Sequence, residues 1–380
     1  MIELLTQHHI LILMILMAFG LSALFEFLLI PLIVRFSRSK GLYDHPDVRK
    51  IHKSNIPRLG GISFFPTMTL AAFVVIMTHN QDFNDSDKIS ISTWSLTFLL
   101  SIAIVYCVGI IDDIAGLGAK SKFTGQAFAA LLLPMSGLYI NNLYGFMGIE
   151  EIPFHVGMPL TVLVIVFACN AINLIDGIDG LSAGLSFIAL AGFLLCFFDE
   201  GMTSYCMLIA GLMGVLAAFL YFNIWGKPEK NTKIFMGDSG SLTLGFILGF
   251  LFVKYVMVTP DTAYYHPNAL ALAFTLVIVP LFDLVRVSLA RLRHRRHLFR
   301  ADKNHIHHKL MRAGMTQHQA LCCILALALF FIALNVALLN HGVSVTWIVA
   351  VDVVLWTALN FLLNKRLQQR GQPAFQIIKS

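Results

Sequence analysis

Long apolar runs alternate with short polar interruptions along almost the whole chain. A helix needs about 20 apolar residues to cross a hydrocarbon core about 30 Å thick. Eleven runs meet that length, at roughly 10–34, 61–79, 93–111, 124–142, 157–175, 181–198, 202–222, 241–258, 267–287, 318–338 and 343–363. The pattern predicts an all-α, polytopic membrane helix bundle of about eleven transmembrane helices, organised as a single integral membrane domain over 1–380. Composition agrees, with 57% hydrophobic and 13% charged residues and a mean hydropathy of +0.77. An average soluble domain carries about 25% charged residues, so a soluble fold is excluded. The first run does not read as a cleaved signal peptide. It lacks a basic leader, is too long, and is followed by a basic stretch instead of a cleavage site.

Charge orients these spans, because cytoplasmic loops accumulate Lys and Arg. The segments after spans one, three, five, seven and nine, plus the C-terminal tail, hold 7, 2, 0, 3, 9 and 4 basic residues, counting Arg286 at the inner edge of span nine, or 25 of the 27. Only Lys88 and Lys254 fall elsewhere, while the opposite loops carry Asp82, Asp85, Asp87, Glu150, Glu151, Asp199, Glu200 and Asp261. The N-terminus is therefore expected outside and the C-terminus in the cytoplasm. The net charge of +6 follows from this topology and from attraction to anionic headgroups, and gives no support to nucleic-acid binding. Six cysteines lie inside apolar runs without CxxC spacing, so neither a disulfide framework nor a zinc site is indicated.

With that orientation every acidic motif of note falls at a cytoplasmic end. Carboxylates beside hydrocarbon are costly, so their convergence marks a functional site. Asp112 and Asp113 close the third span; neighbouring helical residues point about 100° apart, so both cannot face lipid without penalty. Lys120 and Lys122 follow, compact cations suited to a phosphate. In NAINLIDGIDGL, residues 170–181, the spacing of Asn170, Asn173, Asp176 and Asp179 keeps all four near one face if the helix continues. Gly177 and Gly180 then permit a tight turn or close approach to a ligand. Asp238, in FMGDSGSLTLGF, reads either as the cap of the eighth span or as a hard-oxygen ligand for Mg²⁺. His305, His307 and His308 sit in the most basic loop and suit a diphosphate better than zinc, since no nearby cysteine or spaced carboxylate completes a closed zinc site. Asp283 is a candidate partner for Arg286 one turn later, whereas Glu26 and Asp352 lie deeper in spans one and eleven without an assigned role.

These motifs, in this order, resemble the polyprenyl-phosphate N-acetylhexosamine-1-phosphate transferases. The likeness runs from RKIHKSNIPRLGG at 49–61, through the DD, NAxNxxDGxDGL and FMGDxGS motifs, to HIHHKLMRAG at 305–314. It implies transfer of a sugar 1-phosphate from a UDP-sugar to a membrane polyprenyl phosphate, with release of UMP and Mg²⁺ or Mn²⁺ as cofactor. The HIHH form resembles the WecA type, which uses UDP-N-acetylglucosamine and undecaprenyl phosphate to start O-antigen or related polymers. The peptidoglycan branch, which moves phospho-MurNAc-pentapeptide, has three consecutive histidines where Ile306 interrupts the run here, and the dolichol branch lacks the motif. Other UDP-N-acetylhexosamines stay open as donors.

The resemblance also implies roles. Asp112 and Asp113 match a catalytic pair near the lipid phosphate, and Asn173 and Asp238 match metal ligands. Lys122 matches a phosphate-binding lysine, while Lys53, Asp176 and Asp179 match positions near the uridine nucleotide. His305, His307 and His308 are expected to hold the diphosphate or the sugar, and Asn170 and Asn223 are counted with the substrate-binding residues. The active site is expected on the cytoplasmic face, from loops 35–61, 112–124, 170–181, 223–240 and 288–317 of a bacterial inner-membrane protein, with a homodimer left open. Direct attack by the lipid phosphate and a two-step aspartyl-phosphate route both fit these residues. A secondary transporter is the distant alternative, disfavoured because transporter sites usually lie near the bilayer midplane between inverted repeats.

Overall fold

Where the apolar runs lie, helices form, because a bilayer leaves the backbone no other partner for its N–H and C=O groups. The computed structural model describes residues 2–44, 55–82, 93–258, 266–297 and 302–376. In chain order the helices are α1 (Ile2–Ser39), α2 (Phe64–Asp82), α3 (Thr93–Ala115), α4 (Ala119–Met135), α5 (Phe154–Ile175), α6 (Leu181–Asp199) and α7 (Thr203–Trp225). They continue with α8 (Gly237–Val256), α9 (Ala269–Leu276), α10 (Ile278–Arg293), α11 (Ile306–Arg312), α12 (Gln317–Asn340) and α13 (Val345–Gln369). Two small antiparallel hairpins interrupt them, β1 (Tyr43–Asp44) with β2 (Ile56–Pro57) and β3 (Asn142–Phe146) with β4 (Ile149–Glu151).

Among the described residues nine helices are long and apolar enough to cross a bilayer, namely α1, α2, α3, α5, α6, α7, α8, α12 and α13. The chain is thus an all-α, multi-pass membrane protein. Two predicted spans differ in detail. The run at 267–287 is not one straight helix but the pair α9 and α10, bent by 71°. Pro280 explains the break: it lacks an N–H, and its ring collides with the carbonyl four residues back, which belongs to Leu276 at the end of α9. The run at 124–142 yields only the 17-residue α4, which begins at Ala119 and stops at Met135. Gly137, at φ +90°, turns the chain there and leads it toward the β3–β4 hairpin.

The helices gather into two compact units, one of Met1–Gly137 with Ala189–Leu244 and the other of Leu138–Ile188 with Gly245–Ser380. In the first, α1 packs along α7, and Gly214 permits the approach, since a Cβ there would lie 2.2 Å from the Phe19 carbonyl oxygen. Phe64 meets Phe219 edge to face with centroids 5.2 Å apart. Glu26, fully buried on α1, accepts a hydrogen bond from Ser63 Oγ at 2.6 Å and so ties α1 to the 3-10 turn Gly60–Ser63. In the second unit, Gly245 and Gly249 bring α8 against Ile165, Ala168 and Cys169 of α5. A buried polar bridge also joins three helices: Asn335 Nδ2 donates to Thr275 Oγ1 and to Asp352 Oδ2, each at 2.9 Å. Asp352 therefore pins the α9 end of the broken span.

Candidate active site

The two adjacent aspartates at the end of α3 do different work. Asp113 accepts the backbone N–H groups of Asp238 at 2.8 Å and Ser239 at 2.9 Å. These are first-turn amides of α8, which have no partner within their own helix. The carboxylate that caps α8 is therefore Asp113, and the cap reading of Asp238 gives way. Asp112, rotated about 100° around α3, faces the other way. It accepts the Leu117 N–H at 2.5 Å and the Lys122 ammonium at 3.2 Å.

Lys122 Nζ also donates to Asp238 Oδ2 at 2.9 Å, so one cation stands between two carboxylates from separate helices. Burial works against its charge, but Asp238 and Asp112 outweigh that cost and hold its pKa above the usual 10.5. Side-chain exposures of 11% for Asp112, 23% for Lys122 and 24% for Asp238 leave this group reachable by a ligand.

Glycines set the approach of α8 to its neighbours. Gly237, at φ +73°, would place a Cβ 2.1 Å from the Arg58 carbonyl oxygen and 2.7 Å from both Asp113 oxygens. Gly60 and Gly61 donate their N–H groups to the Phe235 and Met236 carbonyls at 2.8 and 2.7 Å, and Phe235 donates back to Pro57 at 2.8 Å. Pro57–Gly61 thus runs beside the approach to Asp238 as a short ladder. Sequence reasoning did not count Gly60 and Gly61 as site residues; two consecutive glycines after a proline were the available signal. Asn223, one of the expected substrate residues, spends its side-chain amide on the Ile234 carbonyl at 2.9 Å, and its own carbonyl accepts the Lys233 ammonium. Lys53 lies outside the described residues.

In the other unit the expected four-residue helical face is divided. α5 stops at Ile175, so Asn170 and Asn173 stand on the helix while Asp176 and Asp179 belong to the turn before α6. The turn is built by a Gly177 N–H to Ile175 carbonyl bond of 2.8 Å and by Gly180 at φ +77°. Asn170 Nδ2 donates to the Val166 carbonyl one turn back at 2.7 Å.

The histidine motif is held by Asp283, whose role the sequence left open between a local pair and nothing. Asp283 Oδ2 meets His305 Nδ1 at 2.8 Å, and Oδ1 accepts the Ile306 N–H at 3.0 Å and Arg286 at 2.7 Å. Arg286 reaches on to the Asn304 carbonyl at 2.5 Å. His307 is buried against Gly177, where a Cβ would stand 2.2 Å from its Nε2. Neither ring nitrogen of His307 has a hydrogen-bond partner among the described residues. Burial, then the nearby charges of His308 and His305, push its pKa well below the usual histidine value. His308 is pushed down to about 4 by burial and by His305, Lys303 and Arg312. Both imidazoles are neutral near pH 7 and act as hydrogen-bonding groups. Among the described residues no three His, Cys, Asp or Glu side chains gather to hold a metal.

A family model described as glycosyl transferase family 4 matches residues 95–256, a stretch that holds Asp112, Asp113, Lys122, the DGIDG turn and Asp238. The chain is 30% identical over 326 residues to the undecaprenyl-phosphate alpha-N-acetylglucosaminyl 1-phosphate transferase of Escherichia coli K12, covering 84% of this chain and 83% of that protein. It is 31% identical over 288 residues to the Salmonella typhi protein of the same name, covering 75% and 73%. A probable undecaprenyl-phosphate N-acetylglucosaminyl 1-phosphate transferase of Bacillus subtilis is 29% identical over 352 residues, covering 91% and 87%.

Proposed function

This chain belongs to glycosyl transferase family 4 and is a phospho-sugar transferase, and we propose that its donor is UDP-N-acetylglucosamine and its acceptor undecaprenyl phosphate. The products are UMP and a lipid-linked diphosphate sugar, the start of a cell-envelope polysaccharide such as O-antigen, formed at the cytoplasmic face of a bacterial inner membrane. The observation that carries the reading is the Asp112–Lys122–Asp238 group, which sets two carboxylates around a point of stabilised positive charge at the ends of α3 and α8. The names of the curated relatives support the donor and acceptor.

Phosphoryl transfer asks a protein for positioning and charge neutralisation rather than covalent help. The acceptor phosphate monoester has a second pKa of about 6, so it arrives mostly dianionic and needs little deprotonation. Lys122 holds a phosphate by charge, Asp112 orients the acceptor, and Asp113 keeps the α8 terminus in place beside them. Mg²⁺ fits the donors available, because it takes one or two carboxylates plus substrate phosphates and keeps the rest of its shell as water. Asp238 would help to hold it, and when bound it neutralises charge on the diphosphate. His307 supports a ligand on the histidine side, since a buried polar group without a partner costs about 1–3 kcal/mol that a substrate hydrogen bond would relieve.

The test is release of UMP by purified protein given undecaprenyl phosphate and a panel of UDP-sugars. UDP-N-acetylglucosamine should react fastest, and Asp238→Asn should lose about 10² or more in rate, the usual cost of removing a group that stabilises transition-state charge. Faster reaction with UDP-MurNAc-pentapeptide would move the chain to the peptidoglycan branch. Full activity of Asp238→Asn in excess chelator would refute the metal site. Donor labelled in its β-phosphate, supplied without lipid, should leave no label on the protein; a trapped aspartyl phosphate would replace direct attack by the two-step route.

A further inference from the structure

The C-terminal segment after α13 returns to the histidine motif and fastens it at three places. Asn304, fully buried and immediately before His305, donates through Nδ2 to the Gln376 carbonyl at 3.0 Å and accepts the Gln376 N–H at 2.7 Å. The Phe375 ring stacks on His294, the residue that closes α10, with centroids 4.2 Å apart and planes 11° from parallel. Beyond the motif, Arg312 at the end of α11 donates to the Pro373 carbonyl at 2.9 Å. The turn that brings the chain back is made by the Gly371 and Gln372 N–H groups, bonded to Gln368 and Leu367 at 2.9 Å. The helix being held has only seven residues. A helix that short does not persist on its own, because its nucleation cost is not recovered below about 12 residues.

We infer that residues 371–376 are a positioning strap that sets α11 and its histidines for the nucleotide-sugar end of the reaction. Asn304 is gripped twice: Arg286 takes its backbone carbonyl at 2.5 Å, and the strap takes its side chain. Asp283 orients His305 from α10, whose C-terminal capping residue, His294, is the one stacked under Phe375. Loss of the strap leaves Asp283 in place but frees Asn304, Arg312 and the His294 ring, so α11 can shift relative to Gly177. The histidines then meet a ligand in the wrong place, while the Asp112–Lys122–Asp238 group keeps its own partners. This inference rests on the proposed contact of His305, His307 and His308 with the nucleotide-sugar.

The experiment compares the full chain with Phe375→Ala, Phe375→Tyr, Asn304→Leu, His305→Ala and a chain ending at Arg370. Three quantities are read: hydrogen exchange over residues 304–312, UDP affinity by calorimetry, and the separate KM values for UDP-N-acetylglucosamine and undecaprenyl phosphate. Phe375→Ala and the shortened chain should exchange faster there. They should bind UDP about tenfold more weakly, with the lipid KM within about twofold, since a misplacement of about 1 Å can cost up to 10²-fold at the affected group only. Phe375→Tyr, which keeps the stack, should behave as the full chain does. Unchanged exchange in the shortened chain overturns the strap. Faster exchange with unchanged UDP affinity, or with both KM values rising together, overturns its positioning role. If His305→Ala binds UDP normally, the proposed contact of the histidines falls instead, whatever Phe375→Ala does.

Discussion

Gly177 and Lys309 show how single positions bear on the site. Gly177 leaves room for the buried His307 ring, and a methyl group would stand 2.2 Å from Nε2. Because His307 cannot move outward without losing its packing, Gly177→Ala should cut turnover by about tenfold or more while the protein stays folded. Steady-state rates beside a melting curve decide this, and normal turnover would show that the contact is slack. Lys309 is 2% exposed and donates to Asn360 at 3.5 Å. Burial, with Arg286 and Arg312 adding to it, lowers its pKa from 10.5 to about 7. Below about pH 7 folded and unfolded chains both carry the proton, and the cost of burying the charge is felt in full. Between about 7 and 10.5 only the unfolded chain holds the proton, so this residue's contribution to stability improves as pH rises. Lys309→Met should therefore melt higher than the parent near pH 6.5, by a margin that narrows toward pH 9. A constant margin would mean that Lys309 is not titrating there.

At the scale of elements, the end of one helix is finished by the side chain of another. The first-turn amides of α8 depend on Asp113 of α3, across a separation of 125 residues. Removing a capping carboxylate usually costs about 0.5–2 kcal/mol, and each buried amide left without a partner adds about 1–3. Asp113→Ala should lower stability in detergent by about 2 kcal/mol or more, and Asp113→Asn by less, because its amide oxygen still accepts one bond. Chemical denaturation of the purified variants measures this difference. Equal stability of Asp113→Ala and the parent would remove the cap from the account. The same logic runs through the broken span, where Pro280 makes the break and the Thr275–Asn335–Asp352 bridge fixes the helix before it.

For the whole molecule, orientation in the membrane is the property on which a shared catalytic face depends. The basic residues all but vanish from one set of loops, which predicts Lys230 and Lys365 inside and Gly148 outside. In a cysteine-free background, single cysteines at these positions should follow that division. An impermeant thiol reagent should label position 148 in intact cells, and positions 230 and 365 only after the membrane is opened. Labelling of 230 from outside would separate the acidic motifs from the cytoplasmic nucleotide pool.

Nine of the eleven apolar runs form single spanning helices among the described residues, and these and the polar motifs were legible in the chain alone. Apolar length and loop charge are local properties that a bilayer reads segment by segment, and DD, DGIDG and HIHH stand out because hydrocarbon tolerates few such groups. The break in the ninth span was not anticipated, although Pro280 was its available signal. What tertiary structure alone decided was the use of each side chain. Nothing local distinguishes Asp112 from Asp113, gives Glu26 to Ser63, ties Asp283 to His305, or returns Gln376 to Asn304. Those choices are hydrogen bonds between residues 37, 22 and 72 positions apart, and 125 for Asp113. Their partners become neighbours only once the helices have packed.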